Sequence, residues 1–185
     1  PEADQVRQLA MSLLGSGLHE AEHYAEALSV KETELSSLRR HGASQHNILT
    51  MQSNLANTYA SLGRPETLRM KRDVYTGRLR LNGEEDRLTL IAALNYATSL
   101  VSLDRFEEAK SLLRKPISIA RRVLDESNDL TLRMRWMCAV ALYKSTGATL
   151  DDLREAATTL EEVERTARRV LGGAHPTTKA IEVAL

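Results

Sequence analysis

The sequence reads Gly172-Gly173-Ala174-His175-Pro176-Thr177-Thr178-Lys179 near its end, and three related stretches precede it at 42–49, 83–90 and 125–132. The four copies begin at residues 42, 83, 125 and 172, so they are separated by 41, 42 and 47 residues. A period of roughly 20 to 50 residues is typical of repeat proteins, in which each unit buries its apolar face against its neighbours. The spacing therefore predicts a solenoid of stacked units.

Each interval between copies has the pattern of two helices joined by a turn. In the second unit, Gly63-Arg64-Pro65 marks that turn, because glycine closes a helix and proline is tolerated in the first turn of the next one. Strand-like alternation of β-branched residues is missing, which favours an all-α chain. The predicted units are 1–41, 42–82, 83–124 and 125–171, with a half-unit at 172–185. The predicted helices are 2–22, 24–40, 49–62, 65–81, 88–103, 106–124, 130–145, 150–171 and a last one from 176.

Composition excludes several functional classes. The 185 residues contain 25 Lys plus Arg and 25 Asp plus Glu, so the formal charge is zero and no basic footprint for nucleic acid is evident. The apolar runs are far shorter than the roughly 20 residues of a membrane span, and no secretory signal pattern opens the chain. The single cysteine, Cys138, has no partner for an internal disulfide, which fits a reducing compartment. We therefore expect a cytoplasmic protein that binds neither nucleic acid nor membrane.

The stretch Asn54-Leu55-Ala56-Asn57-Thr58-Tyr59-Ala60-Ser61-Leu62-Gly63 resembles the first helix of a tetratricopeptide repeat (TPR), with matches at Leu55, Ala56, Tyr59 and Gly63. The usual repeat has about 34 residues. Units of about 42 residues that end like 170–178 resemble the kinesin light chain type of this repeat. The resemblance implies a right-handed superhelical α-solenoid of about four helix-turn-helix units plus a terminal half-unit.

The resemblance also implies a peptide-binding groove lined by the first helix of each unit. An asparagine before the Leu-Ala pair often holds the backbone of a bound peptide in such repeats, and Asn54 and Asn95 occupy that place. In the fourth unit Met137 stands there instead. The alternative for both asparagines is a solvated polar face, and for Trp136 it is packing between units. The other predicted groove residues are Asn57, Leu94, Thr98, Arg133, Trp136 and Lys144.

One segment of the sequence matches a known catalytic motif. His19-Glu20-Ala21-Glu22-His23 matches H-E-x-x-H, which on a continuous helix places two histidines on a zinc ion and a glutamate beside its water. In the repeat register this segment spans the turn between the two helices of the first unit. We therefore expect no zinc site and no peptidase activity here.

The sequence predicts a non-catalytic scaffold that binds a protein or peptide in its concave groove, with no cofactor and no metal. The first alternative is a self-associating structural module of a larger regulator. A remote alternative is a zinc-dependent hydrolase that uses residues 19–23. Cys138 falls at a core position of the repeat, which favours a buried and unreactive thiol.

The end of the chain is a further candidate surface. Ile181 and Ala184 or Leu185 are expected to pack onto the second helix of the fourth unit, near Leu160, Val163 and Ala167. The opposite side of this last helix lacks a covering helix, and an uncovered apolar face favours contact with a second copy. The sequence therefore predicts weak self-association through the C-terminal end.

Overall fold

The structure is a computed structural model that describes the backbone of residues 2–183 and the side chains of residues 6–183. Within this range the chain forms nine α-helices and no β-strand, so the all-α prediction is confirmed. None of the described helices is long and apolar enough to cross a membrane. The helices are α1 (Glu2–Glu20), α2 (Tyr24–Arg40), α3 (Gln45–Ser61), α4 (Glu66–Asn82), α5 (Arg87–Ser102), α6 (Phe106–Leu124), α7 (Asp129–Lys144), α8 (Leu150–Leu171) and α9 (Pro176–Glu182).

The helices form two compact units that meet in sequence between Leu81 and Asn82. In the first unit α1 packs on α2 and α2 on α3, and in the second the consecutive helices α5 to α9 pack on one another. Contact between helices that are neighbours in sequence is the packing expected of a helical repeat solenoid. The assignment of residues 1–185 to one array with boundaries near 41, 82, 124 and 171 stays a prediction.

The start of α3 differs from the prediction. The helix begins at Gln45 and not at Leu49, because Ser44 caps it: the Ser44 side chain accepts a hydrogen bond from the backbone N–H of Asn47 at 3.3 Å. A serine at this position satisfies one of the N–H groups that have no partner in the first turn of a helix. The repeated stretch is therefore partly helical, and its second half belongs to the helix that follows.

The first residue of each repeated stretch ends a helix with a positive backbone φ. Glycine is favoured there, because an L side chain is strained at positive φ. Asp125 is the one non-glycine among the four, and its ψ of 155° places it in a region that is almost restricted to glycine. Its carboxylate accepts hydrogen bonds from the backbone N–H and the hydroxyl of Ser127, both at 2.7 Å, which partly offset the strain. The φ angles are 65° at Gly42, 83° at Gly83, 83° at Asp125 and 89° at Gly172.

Two or three residues later, each repeated stretch supplies the N-cap of the next helix. At the last copy, His175 Nδ1 accepts from the backbone N–H of Thr177 at 3.2 Å, and the Thr178 hydroxyl donates to the Gly172 carbonyl at 2.9 Å. The repeated stretch is therefore a junction that ends one helix and begins the next, and the four copies share this geometry although their capping residues differ. The four N-caps are Ser44, Asp86, Asn128 and His175.

We predict that Asp125→Gly stabilises the chain, by about 1 kcal/mol, because glycine relieves the positive-φ strain of roughly 1–3 kcal/mol while the bonds to Ser127 are lost. Gly83→Ala should have the opposite effect. Its added Cβ meets no atom within 4 Å, so any loss comes from the backbone alone. Urea denaturation of the parent and of both variants gives the change in the free energy of unfolding that each substitution causes. A stabilising Gly83→Ala would show that the positive φ is not a constraint.

A buried polar network connects the three helices α1, α2 and α3. The Lys31 ammonium, on a side chain only 4% exposed, donates to the Thr58 hydroxyl at 2.9 Å, and this hydroxyl lies 3.1 Å from His19 Nδ1. The aliphatic part of Lys31 packs on Gly15, where an added Cβ would lie 3.1 Å from Lys31 Cγ. Burial lowers the pKa of Lys31, and it lowers the pKa of His19 together with the nearby Lys31 charge. The network therefore favours a neutral His19.

This network predicts a loss of stability on mild acidification. The pKa of His19 in the folded chain lies below its usual value of about 6.5, so the unfolded chain binds the proton more readily. Stability should therefore be highest above this value and fall as the pH drops through it. Thermal unfolding between pH 7.5 and 5.5 should show a smaller decrease for His19→Gln than for the parent. His23→Gln, at an exposed histidine, is the control and should keep the parent's pH dependence.

Close packing and a buried arginine join α3 to α4. An added Cβ at Gly77 would lie 2.6 Å from Leu49 Cδ2, so a larger residue there requires the Leu49 side chain to move. The next residue, the buried Arg78, donates to the Thr50 hydroxyl at 2.6 Å and to the His46 carbonyl at 3.3 Å. The guanidinium thus keeps polar partners although it is removed from water, as a buried charge requires.

In the second unit, α7, α8 and α9 are held together by two apolar clusters and by Arg135. This arginine on α7 is 7% exposed and pairs with Glu126 at 3.1 Å and with Glu162 of α8 at 2.7 Å. It therefore joins the start of α7 to the middle of α8. One cluster consists of Leu132, Val163, Ala167 and Ile181, and the other of Ala139, Leu142, Ala156 and Leu160.

The terminal half-unit docks largely as predicted. Ile181 of α9 is fully buried and shares a cluster with Val163 and Ala167, which confirms that part of the prediction. Leu160 belongs to the other cluster, and its contact with α9 stays a prediction. Ala184 and Leu185 lie outside the described residues.

Candidate binding surfaces on the first helices

In the first unit, the predicted groove residues lie on α3. Asn54 is half-buried and Asn57 is exposed. Neither side-chain amide has a hydrogen-bond partner among residues 6–183. Only the backbone carbonyl of Asn54 accepts a hydrogen bond, from the Thr58 hydroxyl at 3.3 Å. Both amides are therefore available to donate and accept hydrogen bonds, and they lie on α3 beside the buried positions Leu55 and Thr58.

In the second unit, α5 presents Asn95 and Thr98. Asn95 is half-buried and its amide has no partner in the described chain, as at Asn54. Thr98 is exposed, and its hydroxyl donates to the Leu94 carbonyl at 2.9 Å, so only its acceptor capacity remains. Leu94 is 2% exposed, so its assignment to the groove surface is wrong. It lies on the side of α5 that packs into the core, since residues 90, 93, 94 and 97 are all buried.

On α7, the predicted residues differ in their surroundings. Arg133 is exposed and lies 3.8 Å from the Asp129 carboxylate, and Lys144 is exposed without an ion pair in the described chain. Trp136 is half-buried and packs against both apolar clusters of the second unit. Its indole nitrogen is buried with no hydrogen-bond acceptor among the described residues. Trp136 therefore serves mainly as packing, and Met137, 8% exposed, does the same at the place where the second and third units have asparagine and the first unit has Leu13.

The H-E-x-x-H segment lies across a turn, as predicted. His19 and Glu20 are in the last turn of α1, Glu22 has a φ of 63°, and His23 precedes α2. The two histidines therefore lack the shared helix face that a zinc site of this type needs. The His19 ring instead packs edge-on against Tyr24, with 5.1 Å between centroids, and contacts Thr58. No group of three potential ligands that could hold a metal occurs in residues 6–183.

The thiol of Cys138 and two arginines of the second unit are accounted for by packing and ion pairs. Cys138 is partly buried, and burial raises the pKa of its thiol, which makes the thiolate scarce at neutral pH. The two arginines in the last turn of α6 contact acidic residues of the second unit: Arg121 lies 3.1 Å from Glu126 and Arg122 lies 2.6 Å from Glu85. These arginines therefore stabilise the junctions and do not form a free basic stripe.

The structure also shows a cleft that the sequence did not predict. It has a volume of about 580 Å³ and lies between α2, α3 and α4 of the first unit. Tyr59 donates to Glu32 at 2.7 Å inside it, and this hydrogen bond is the main cause that raises the pKa of Tyr59 to about 12. Arg39 and Arg69 line the cleft without an ion pair in the described chain. No sequence signal marks it, because it depends on the distance between α2 and α4.

Comparison with known proteins identifies the fold. No family model and no curated protein sequence matches the chain. Among solved structures, the chain is similar to a Podosopora anserina protein named for kinesin light chain and described as having nearly identical TPR-like repeats. That structure gives a TM-score of 0.76, 20% identity, and coverage of 95% of this chain and 82% of the other. A single-substitution variant of the same protein gives a TM-score of 0.77 with the same identity and coverage.

A third structure supports the same assignment. BtubC (BKLC) of P. vanneervenii gives a TM-score of 0.76 at 16% identity, and the match covers 99% of this chain and 76% of the other. At such identities the likeness concerns the backbone. The chain therefore has the fold of the TPR-like helical repeat solenoids, in the form described for kinesin light chain-like structures.

Proposed function

We propose that the chain is a non-catalytic scaffold that binds a protein or peptide through the first helices of its units. The observation that carries the proposal is the set of unpaired amides at Asn54, Asn57 and Asn95, which lie on α3 and α5. None of these amide atoms is both buried and without a partner, so water solvates them in the free chain. A bound partner can displace that water and take over its hydrogen bonds.

The chemistry of these amides suits an extended peptide. A peptide backbone offers one N–H donor and one carbonyl acceptor per residue, and an asparagine side chain matches both at once. Asn54 and Asn95 occupy equivalent places, 41 residues apart, after the junction of their own unit. Recognition of backbone groups fixes the position of a peptide, and neighbouring groups such as Thr98, Arg133 and Lys144 would select its side chains.

The hydrolase alternative has no support in the geometry of residues 19–23, because a turn separates His19 from His23. The expectation of a cytoplasmic location remains a proposal, which rests on the single cysteine and its buried, poorly ionised thiol.

We predict that Asn54→Ala and Asn95→Ala each weaken peptide binding by about two- to twelve-fold, since a net hydrogen bond contributes roughly 0.5–1.5 kcal/mol. Peptides selected from a random display library against the parent chain provide the ligands, and titration calorimetry measures their affinities. Both side chains lack internal partners, so the melting temperature should change little.

Asn82→Ala is the matched control, because Asn82 is an exposed asparagine at the end of a second helix. It should bind selected peptides as tightly as the parent does. Unchanged affinity in the double variant Asn54→Ala/Asn95→Ala for every selected peptide would refute the proposal. A large loss of thermal stability would instead assign both amides a structural role.

A further inference from the structure

The outer face of α1 is apolar and exposed. Val6 is 64% exposed, Leu9 62%, Leu13 65% and Leu14 54%. Ala10 and Gly17 are also exposed on this helix. Large apolar residues that are exposed singly are ordinary, but a contiguous set marks an interaction site. We call these six residues, Val6, Leu9, Ala10, Leu13, Leu14 and Gly17, the α1 stripe.

The α1 stripe is separate from the surface that packs on α2. At about 100° per residue, its six members fall within one continuous arc of the helix. Gly15 lies on the opposite side, where an added Cβ would contact Val30 at 3.4 Å and Lys31 at 3.1 Å. The helix thus has an internal packing face and a second apolar face. A helix with apolar residues on both sides is ordinarily covered on both sides.

We propose that the α1 stripe binds the α1 stripe of a second copy of this chain, with the two helices antiparallel. The spacing supports this geometry, because Val6, Ala10, Leu13 and Gly17 are separated by four, three and four residues. That is the seam of a coiled coil. The small residues Ala10 and Gly17 are seven residues apart, which allows two helices to approach closely along the seam.

The sizes of the seam residues favour an antiparallel pair of identical helices. A two-fold axis near the middle of the seam places Val6 opposite the partner's Gly17, and Ala10 opposite the partner's Leu13. Every layer then combines one large and one small side chain, which fills space evenly. Parallel helices would instead place Leu13 on Leu13 and Gly17 on Gly17. Contacts between two large side chains would then alternate with contacts between two small residues.

The residues beside the seam agree with this arrangement. Leu9 and Leu14 lie on opposite flanks of the seam, where each covers the edge of the partner helix. The stripe contains no charged residue, so pairing two copies buries no unpaired charge. Antiparallel helices also bring opposite ends of their dipoles together.

The expected dimer is weak. Six residues per copy are far fewer than the roughly 20–30 per side of a stable interface. An interface of this size forms and separates readily with concentration. The first test is sedimentation of the 185-residue chain over a wide concentration range, where the parent should change from monomer to dimer. A strict monomer at the highest concentrations would overturn the proposal.

Leu13→Glu should weaken the dimer by about tenfold or more, because the dimer would bury a charge without a partner. Its fold should persist, since Leu13 is largely exposed, and circular dichroism checks this. Leu103→Glu is the matched control, because Leu103 is 56% exposed but belongs to the second unit. It should associate as the parent does. Equal association of Leu13→Glu and the parent would contradict the proposal.

A size exchange tests the antiparallel register. Gly17→Val should weaken the dimer by crowding the partner's Val6, while the monomer has open space there, with no atom within 4 Å of an added Cβ. The double variant Val6→Ala/Gly17→Val should restore association, because each layer again has one large and one small residue. Failure of this rescue would refute the register.

Val183→Glu distinguishes the α1 stripe from the C-terminal surface predicted from the sequence. Val183 is 89% exposed and follows α9. The proposal expects Val183→Glu to dimerise as the parent does. A dimer that Val183→Glu abolishes and that Leu13→Glu leaves intact would assign self-association to the C-terminal end and overturn the α1 pairing.

Discussion

The structure depends on one backbone constraint, the junction at which a second helix ends and the next first helix begins. Each junction needs a residue with positive φ and, two or three residues later, a side chain that accepts from the first free N–H groups. Two copies illustrate this arrangement, in which Gly83 is followed by the N-cap Asp86 and Gly172 by the N-cap His175. Because the chain reverses in so few residues, consecutive helices within each unit lie in contact and bury their apolar sides on their neighbours.

The polar groups inside each unit follow from the same packing. Where two helices pack closely, a long polar side chain between them is removed from water. It then needs a hydrogen-bond or ion-pair partner within the protein. Lys31 reaches Thr58 in the first unit, and Arg135 reaches Glu126 and Glu162 in the second. By contrast, the amides of Asn54 and Asn95 find no partner within the described chain. This difference separates groups that complete the fold from groups available to a ligand.

The sequence predicts the helices well because their ends have local causes. The bounds of α2, α6 and α8 agree with the prediction, since capping and turn residues act over a few positions. The start of α3 was placed too late because a helix can begin inside a repeated stretch once Ser44 caps it. Local patterns thus determine most of the fold.

The surfaces are harder to predict, because exposure depends on contacts between helices. Leu94 and Asn95 are adjacent in sequence, yet one is buried and the other is partly exposed. Trp136 resembles an interface anchor in the sequence but packs against two core clusters. The α1 stripe has the pattern of an ordinary core face, and only the structure shows it to be exposed.

The most direct test of the junction is an NMR measurement of backbone φ angles from three-bond coupling constants and intraresidue HN–Hα contacts. The account predicts positive φ at the glycines 42, 83 and 172 and also at Asp125, where the side chain opposes it. It predicts helical values to resume after each N-cap. A negative φ at Asp125, with helical couplings that continue from α6 into α7, would contradict the repeat geometry on which the rest of the structure depends.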